Sequence, residues 1–261
     1  DIGLVFLDIS KAFDKVWHTG LVHKLETFGV AGRLLKWFQS YLTDRKQRVT
    51  INGQSSEWQN IGAGVPQGSI LGPLLFLIFI NDIIVNINSE IYLFADDTFL
   101  CQPINKHIKP IYKPIKPIEN SLSVLNNDVQ TIFEWSQQWL VTFNADKTEY
   151  MVISRKQELG IQTEPKLNDV QIKRVSKHKH LGITFNNKGT WSDHILDIKT
   201  RAAKSVGLLR RIQFSVPRSC LEVLYKSFVR PILEYGDVIP YLIYLPKYTL
   251  TSLIRYKEIA R

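Results

Sequence analysis

Two periods of apolar residues run through the chain. Leu4-Val5-Phe6-Leu7 is an unbroken apolar run of strand length, and apolar residues fall two apart around Asp96-Asp97, with Ile91 and Leu93 before the pair and Phe99 and Cys101 after it. The first predicts a buried strand, the second a tight β-hairpin with both aspartates at its turn. Helical spacing takes over elsewhere. Leu21, Leu25 and Phe28 mark a helix over 20–28, and Leu34, Leu35, Phe38 and Leu42 a second over 31–42, with a Gly-Val break between. Arg48 to Ile51 reads as a strand that turns at Asn52-Gly53 and returns over Trp58 to Ile61. Ser69 is placed to cap a helix ending near Ile84, with Pro73 in its first turn. Leu122, Leu125, Val129, Ile132, Phe133, Trp135 and Leu140 stripe a long amphipathic helix over 119–140. Strands are expected at 150–154, 170–175 and 181–185, and helix beyond Trp191. Strands alternating with helices around a central hairpin read as α+β or α/β, not as all-helical.

One segment interrupts this order. Lys109-Pro110-Ile111, Lys113-Pro114-Ile115 and Lys116-Pro117-Ile118 form a small irregular repeat, and proline favours an extended, exposed linker there over regular helix. At 261 residues the chain can bury a sizeable core. Cys101 and Cys220 are too few and too far apart for a disulfide framework or a zinc site, which fits a reducing, intracellular compartment, with nucleus or cytoplasm left open. The longest apolar run, 70–80, is broken by Gly72-Pro73 and falls short of the roughly 20 residues a bilayer span needs, so no membrane partner is expected. No signal peptide is visible, and the chain starts at Asp1 without Met, so its ends read as cuts.

The net charge of +9 is uneven. Residues 1–100 carry 8 Lys/Arg against 10 Asp/Glu, whereas residues 101–261 carry 25 against 14. Within 199–230, Lys199, Arg201, Lys204, Arg210, Arg211, Arg218, Lys226 and Arg230 face the single acid Glu222. Phosphate backbones are attracted to such a surface, more weakly as salt rises; a solvated helix face has the same composition.

The aspartates carry the chemistry. An Asp-rich turn is tolerated by itself, yet the strand Leu4 to Leu7 also ends in an aspartate, Asp8, and a carboxylate on a buried strand wants a counter-charge. Mg²⁺ takes oxygen ligands, commonly one or two carboxylates with phosphate oxygens and water. Two-metal phosphoryl-transfer sites hold their ions about 3.5–4 Å apart. Asp8 and Asp96 bridging such a pair, with Asp97 behind them, would account for all three.

Five blocks in order then match one family. Leu7-Asp8-Ile9-Ser10-Lys11-Ala12-Phe13-Asp14-Lys15-Val16, Gly64-Val65-Pro66-Gln67-Gly68-Ser69, Phe94-Ala95-Asp96-Asp97, Phe143-Asn144-Ala145-Asp146-Lys147-Thr148 and His180-Leu181-Gly182-Ile183 resemble the successive blocks of a non-LTR (LINE-type) retrotransposon reverse transcriptase. Ordered blocks over roughly residues 1–190 are far more specific than a lone motif. The resemblance implies an α+β fold: a reverse-transcriptase palm over 1–190, an antiparallel sheet with packed helices that includes the catalytic hairpin and primer-grip region, then a mainly helical, basic, thumb-like region over 191–261. It implies an RNA-directed DNA polymerase using RNA template, DNA primer and dNTPs. Two Mg²⁺ ions would serve as cofactors, with Mn²⁺ able to substitute, and no obligate oligomer is indicated.

Roles follow from the resemblance, residue by residue. Asp8, Asp96 and Asp97 would be the metal-binding catalytic residues, and Lys147 would protonate the departing pyrophosphate, although a surface lysine in an Asp-Lys-Thr turn looks the same. Phe13 would lie under the sugar of the incoming nucleotide and exclude a 2′-OH; a core phenylalanine is the plainer alternative. Gln67 and Gly68 would sit against the templating pair or nucleotide, in a loop that also caps the following helix. Leu181 and Gly182 would sit in a hairpin against the primer backbone, although a plain β-turn looks the same. Asp14 is expected to cap or to pair with Lys11 or Lys15.

The departures matter as well. In the family, basic residues of the fingers grip the triphosphate, and here the chain begins a few residues before Asp8, so the fingers are expected to be missing. Leu233-Glu234-Tyr235-Gly236-Asp237 begins like the family, but 238–250 turns rich in Tyr, Ile, Leu and Pro in place of a polar loop and helix. A catalytically inactive nucleic-acid-binding remnant, or a decayed copy with neither activity, would carry the same blocks.

Overall fold

The computed structural model describes residues 1–104, 117–154, 161 and 164–236. It divides into two compact units, Asp1–Ser176 and Lys177–Arg261, a boundary earlier than the one near 190 expected from the motif blocks.

In the first unit the chain runs through β1 (Ile2–Leu7), α1 (His18–Thr27) and α2 (Gly32–Leu42). A small hairpin follows, in which β2 (Lys46–Gln47) pairs with β5 (Gln59–Asn60) and β3 (Thr50–Ile51) with β4 (Gln54–Ser55). Next come α3 (Leu71–Ile80), a 3₁₀ turn at Asn81–Ile84, β6 (Glu90–Phe94), β7 (Asp97–Pro103), α4 (Pro117–Gln138) and β8 (Glu149–Ile153). A two-residue ladder of β9 (Lys166–Leu167) with β10 (Val170–Gln171) and a short edge strand, β11 (Lys173–Arg174), complete the unit.

The main sheet has the order β11-β8-β1-β7-β6. It is antiparallel except for β11, which runs parallel to β8. β1 lies at the centre because Leu4, Val5, Phe6 and Leu7 are all buried, and such a run needs cover on both faces. Gly3 admits α4, since a Cβ there would stand 2.8 Å from Leu125 Cδ1.

α4 starts at Pro117, so the last proline of the Lys-Pro-Ile repeat opens the helix, where its missing amide costs nothing. The rest of the repeat, at 109–116, lies outside the described residues. Leu122, Leu125, Val129 and Ile132 are buried as the stripe predicts, whereas Leu140 falls beyond the helix and is exposed. Phe28 and Leu34 are likewise exposed, and α1 and α2 bury Leu21, Leu25, Phe38 and Leu42 instead. Ser69 caps α3 from one residue outside its N-cap, its Oγ accepting from Gly72 N at 2.9 Å while donating to the Pro66 carbonyl at 2.8 Å.

Two buried charges tie the helices together. Lys24 of α1 is 4% exposed. Its ammonium donates to the Phe79 carbonyl and to Asp82 Oδ1, each at 2.5 Å, and lies 3.7 Å from the Trp139 ring centroid. Asp82 also accepts from Trp135 Nε1 at 2.9 Å. Burial pulls the Lys24 pKa below its ordinary value, against the hydrogen bond and charge of Asp82. On α4, the fully buried Asp128 accepts from Asn88 N at 3.0 Å, Asn88 Nδ2 at 3.2 Å and Ser89 N at 2.7 Å, and from Ser89 Oγ. That carboxylate fixes the segment leading into β6.

The second unit opens with a hairpin, β12 (Lys177–His180) with β13 (Ile183–Asn186), followed by α5 (Ser192–Ile212), α6 (Arg218–Leu224), a π-helical turn at Tyr225–Val229 and α7 (Arg230–Glu234). Asp193, at the start of α5, receives hydrogen bonds from Lys177 and from Asn186 Nδ2, which hold its carboxyl below the usual carboxylate range. Of the basic residues singled out above, Arg201, Arg218 and Arg230 pair with Asp197, Glu222 and Glu234 one helical turn away. No helix among the described residues is long and apolar enough to cross a membrane.

Two measurements check this packing. Burial, with Glu90 adding to it, pushes the Cys101 thiol up to about 12, while Cys220 is exposed; thiol titration of the native chain is expected to modify Cys220 and to reach Cys101 only in denaturant. Lys24→Ala is expected to lower stability by about 3 kcal/mol in chemical denaturation and Lys24→Met by less, because methionine keeps the volume.

Candidate functional site

The chain leaves the sheet at Asp8 with its backbone still held. Asn144 N donates to the Asp8 carbonyl at 2.8 Å, Ser10 N donates to the Thr142 carbonyl at 2.8 Å, and Ile9 bridges Phe143. Thr148 Oγ1, itself donating to the Asn144 carbonyl at 2.8 Å, receives the Asp8 amide at 3.5 Å. The carboxylate remains partly open, 38% exposed, with Lys147 Nζ 3.8 Å from Oδ2.

On the other edge of β1 the register brings in the hairpin. Leu7 pairs with Thr98, and Phe94 pairs with Asp97 across the two-residue turn Ala95–Asp96. One further step of that register sets Asp8 opposite Asp97, with Asp96 at the turn. Ala95 has φ +53, the positive value that primed hairpin turns need at their first central residue. Asp97 therefore opens β7, where both aspartates were expected in the turn. Both are exposed, directly before the buried Thr98 and Phe99.

The three aspartates thus share one end of two adjacent strands. Exposed carboxylate oxygens, without nitrogen or sulfur donors, suit a hard divalent cation. Among the described residues, however, no group of three or more His, Cys, Asp or Glu is arranged to hold a metal ion.

The second cluster joins residues far apart in sequence. The loop 64–68 lies against the segment after Asp8, with Gly64 N donating to the Val16 carbonyl and Val65 N to the Phe13 carbonyl, each at 2.8 Å. A Cβ on Gly64 would meet the Asp14 carbonyl oxygen at 2.6 Å, and its φ is +94, so only glycine fits. Gln67 Nε2 donates to Asp14 Oδ1 at 3.0 Å. Asp14 thus pairs with Gln67, where a capping role or a pairing with Lys11 or Lys15 was expected. Gly68 has φ +79. Phe13 stacks on Phe76 of α3 at 4.6 Å between centroids and is only partly buried, so one ring serves the core and still borders the surface.

In the second unit, Leu181 and Gly182 form the β12–β13 turn, both with positive φ, +47 and +79, as a type I′ turn requires. The hairpin expected at Leu181-Gly182 is present, and the strand expected over 181–185 starts after it, at Ile183. Tyr235 OH donates to the Leu181 carbonyl at 2.7 Å, and its ring lies against Gly182.

Several supporting residues escaped the sequence reading. His18 Nε2 lies 2.7 Å from the Gly64 carbonyl, Thr148 and Asn144 hold Asp8, and Tyr235 pins the second turn. Asn144 and Thr148 stand inside a recognised block, and Tyr235 inside the stretch Leu233 to Asp237 that begins like the family; His18 gave no periodic or motif signal.

The model of the family "Reverse transcriptase (RNA-dependent DNA polymerase)" matches residues 1–185. The chain belongs to the reverse transcriptase family. That match takes in every predicted site residue, including Leu181 and Gly182, but not Tyr235. An RNA-directed DNA polymerase from the mobile element jockey of Drosophila melanogaster is 32% identical over 88% of this chain and 25% of its own length. A probable RNA-directed DNA polymerase from transposon X-element of the same organism is 28% identical over 89% and 25%. The chain spans about a quarter of the length of these curated relatives. Among solved structures, the telomerase of Candida tropicalis with a fragment of telomeric RNA aligns at a TM-score of 0.44 and 12% identity, over 91% of this chain and 38% of that one.

The loop of this reverse transcriptase chain offers a direct test. Gly64→Ala is expected to cost about 2 kcal/mol or more, from the left-handed backbone and the backbone clash together, measured as the shift in denaturation midpoint.

Proposed function

We propose that this chain carries the palm of an RNA-directed DNA polymerase and performs templated nucleotidyl transfer: a primer 3′-OH attacks the α-phosphorus of a dNTP, and pyrophosphate leaves. One observation carries the reading. The pairing of Leu7 with Thr98 and of Phe94 with Asp97 delivers three carboxylates to one end of the sheet.

Asp8, Asp96 and Asp97 would hold two Mg²⁺ ions, which when bound lower the pKa of the attacking hydroxyl and offset charge on the triphosphate. The residues around them position. Thr148 and Asn144 keep the Asp8 backbone still, so that its carboxylate alone adjusts. Lys147 would donate a proton from its ammonium to the leaving pyrophosphate, a role supported by its lying 3.8 Å from Asp8. Phe13, set by its stack on Phe76, offers a ring edge against a 2′-OH and so favours dNTPs. Gln67 and Gly68, fixed through Asp14 and Gly64, bear on the templating base pair. Leu181 and Gly182 are assigned to the primer backbone.

A second reading, a nucleic-acid-binding remnant without turnover, draws on the lack of an arranged metal-binding group among the described residues. Primer extension on an RNA template with dNTPs and Mg²⁺ separates the two. Extension by the chain is expected, with Asp96→Ala reducing it at least about 1,000-fold, the scale on which loss of transition-state charge stabilisation is felt. Equal extension by both proteins overturns the metal assignment. Salt-dependent binding with no extension by either favours the remnant.

A further inference from the structure

The small hairpin of β2 to β5 plays no part in the site above, and its chemistry is unlike that of its surroundings. Residues 33–60 hold Arg33, Lys36, Arg45, Lys46 and Arg48 against Asp44 and Glu57, whereas the rest of the first hundred residues hold 3 Lys/Arg against 8 Asp/Glu. A basic island thus stands within an acidic half of the chain. Every residue from Lys46 to Asn60 is exposed, and a two-sided hairpin in water is marginal on its own.

Its two faces differ. Lys46 pairs with Asn60 and Gln47 with Gln59, so the next step puts Arg48 opposite Trp58, on the same face as Lys46. The Arg48 guanidinium does lie over the Trp58 ring, 4.6 Å from its centroid. Thr50 Oγ1 and Ser55 Oγ lie 2.9 Å apart in the adjoining ladder of β3 with β4. The indole is 54% exposed. The face therefore combines an open aromatic plane, a guanidinium stacked against it and a second cation. Gln47 and Gln59 belong to the opposite face.

We infer that this face binds a single strand of nucleic acid, with a base stacking on Trp58 and Arg48 and with Lys46 and Arg48 taking adjacent phosphates. The inference rests on the polymerase reading and gives it a contact for unpaired template away from the aspartates. Stacking on an aromatic side chain is open to any exposed base. Arginine adds both a plane to stack on and donors for phosphate, and the surplus of positive charge selects a polyanion over an apolar or acidic partner. Glu57 is the one opposing charge on the hairpin.

The experiment is fluorescence anisotropy of the full chain with a labelled single-stranded RNA oligonucleotide and with the matching duplex, run beside primer extension. Trp58→Ala is expected to weaken single-strand binding roughly tenfold, and Trp58→Phe to restore most of it. Arg48→Ala is expected to weaken binding and to flatten the dependence of log affinity on log salt by about one phosphate contact. Gln47→Ala, on the other face, is expected to bind as the parent does. Unchanged affinity in Trp58→Ala, or an equal loss on duplex, whose bases are already stacked, overturns the inference. Either result leaves the polymerase reading to its own assay, since extension that disappears in Asp96→Ala is independent of Trp58.

Discussion

Double-sided pairing of β1 is the constraint from which the site follows. A strand buried over Leu4 to Leu7 cannot lie at an edge, and its backbone groups must all find partners. β7 and β8 supply them in fixed register. That register decides which side chains meet beyond Leu7, because a slip of one residue would send every side chain to the other face. The hairpin aspartates stand on one side of Asp8 and Asn144, Lys147 and Thr148 on the other for this reason alone.

The result is a firm frame with open side chains. Around Asp8, Asp14 and Gly64 the main chain is tied by hydrogen bonds and by contacts too close for a Cβ, while Asp96, Asp97 and Gln67 are exposed. Backbone preorganisation of this kind leaves only a few torsions to settle when charged ligands arrive. Lys24 and Asp128 do the opposite work: both are buried, and both join elements distant in sequence.

How much could be read from the chain depended on how local the cause was. The strand at Leu4 to Leu7, the Asp96-Asp97 hairpin, the turn at Asn52-Gly53 and the stripe of α4 each follow from neighbouring residues, and each is present in the structure. The aspartates were named by the same reasoning, joined to a family resemblance. Misplaced were the ends and edges: Phe28, Leu34 and Leu140 keep the helical spacing but lie where no partner covers them. The Asp14–Gln67 bond joins residues 53 positions apart, and no local rule predicts it. Lys24 and Asp128 did leave a trace. Each is a charge set into an apolar stripe, between Leu21 and Leu25 in one helix and beside Leu125 and Val129 in the other, and that mismatch marks a buried polar junction.

The anchorage of α4 also bears on how this chain can change over generations. Asp128 holds the approach to β6, Leu125 meets Gly3, and Ser121 Oγ donates to the Pro103 carbonyl at 3.2 Å, so the helix is located by contacts and not by the connector that leads to it. Lengthening such a connector alters only the entropy of closing it, about 0.6 kcal/mol for each doubling. A tripeptide can then be duplicated between β7 and α4 with little penalty to folding, and most of the Lys-Pro-Ile repeat falls in that interval of the sequence.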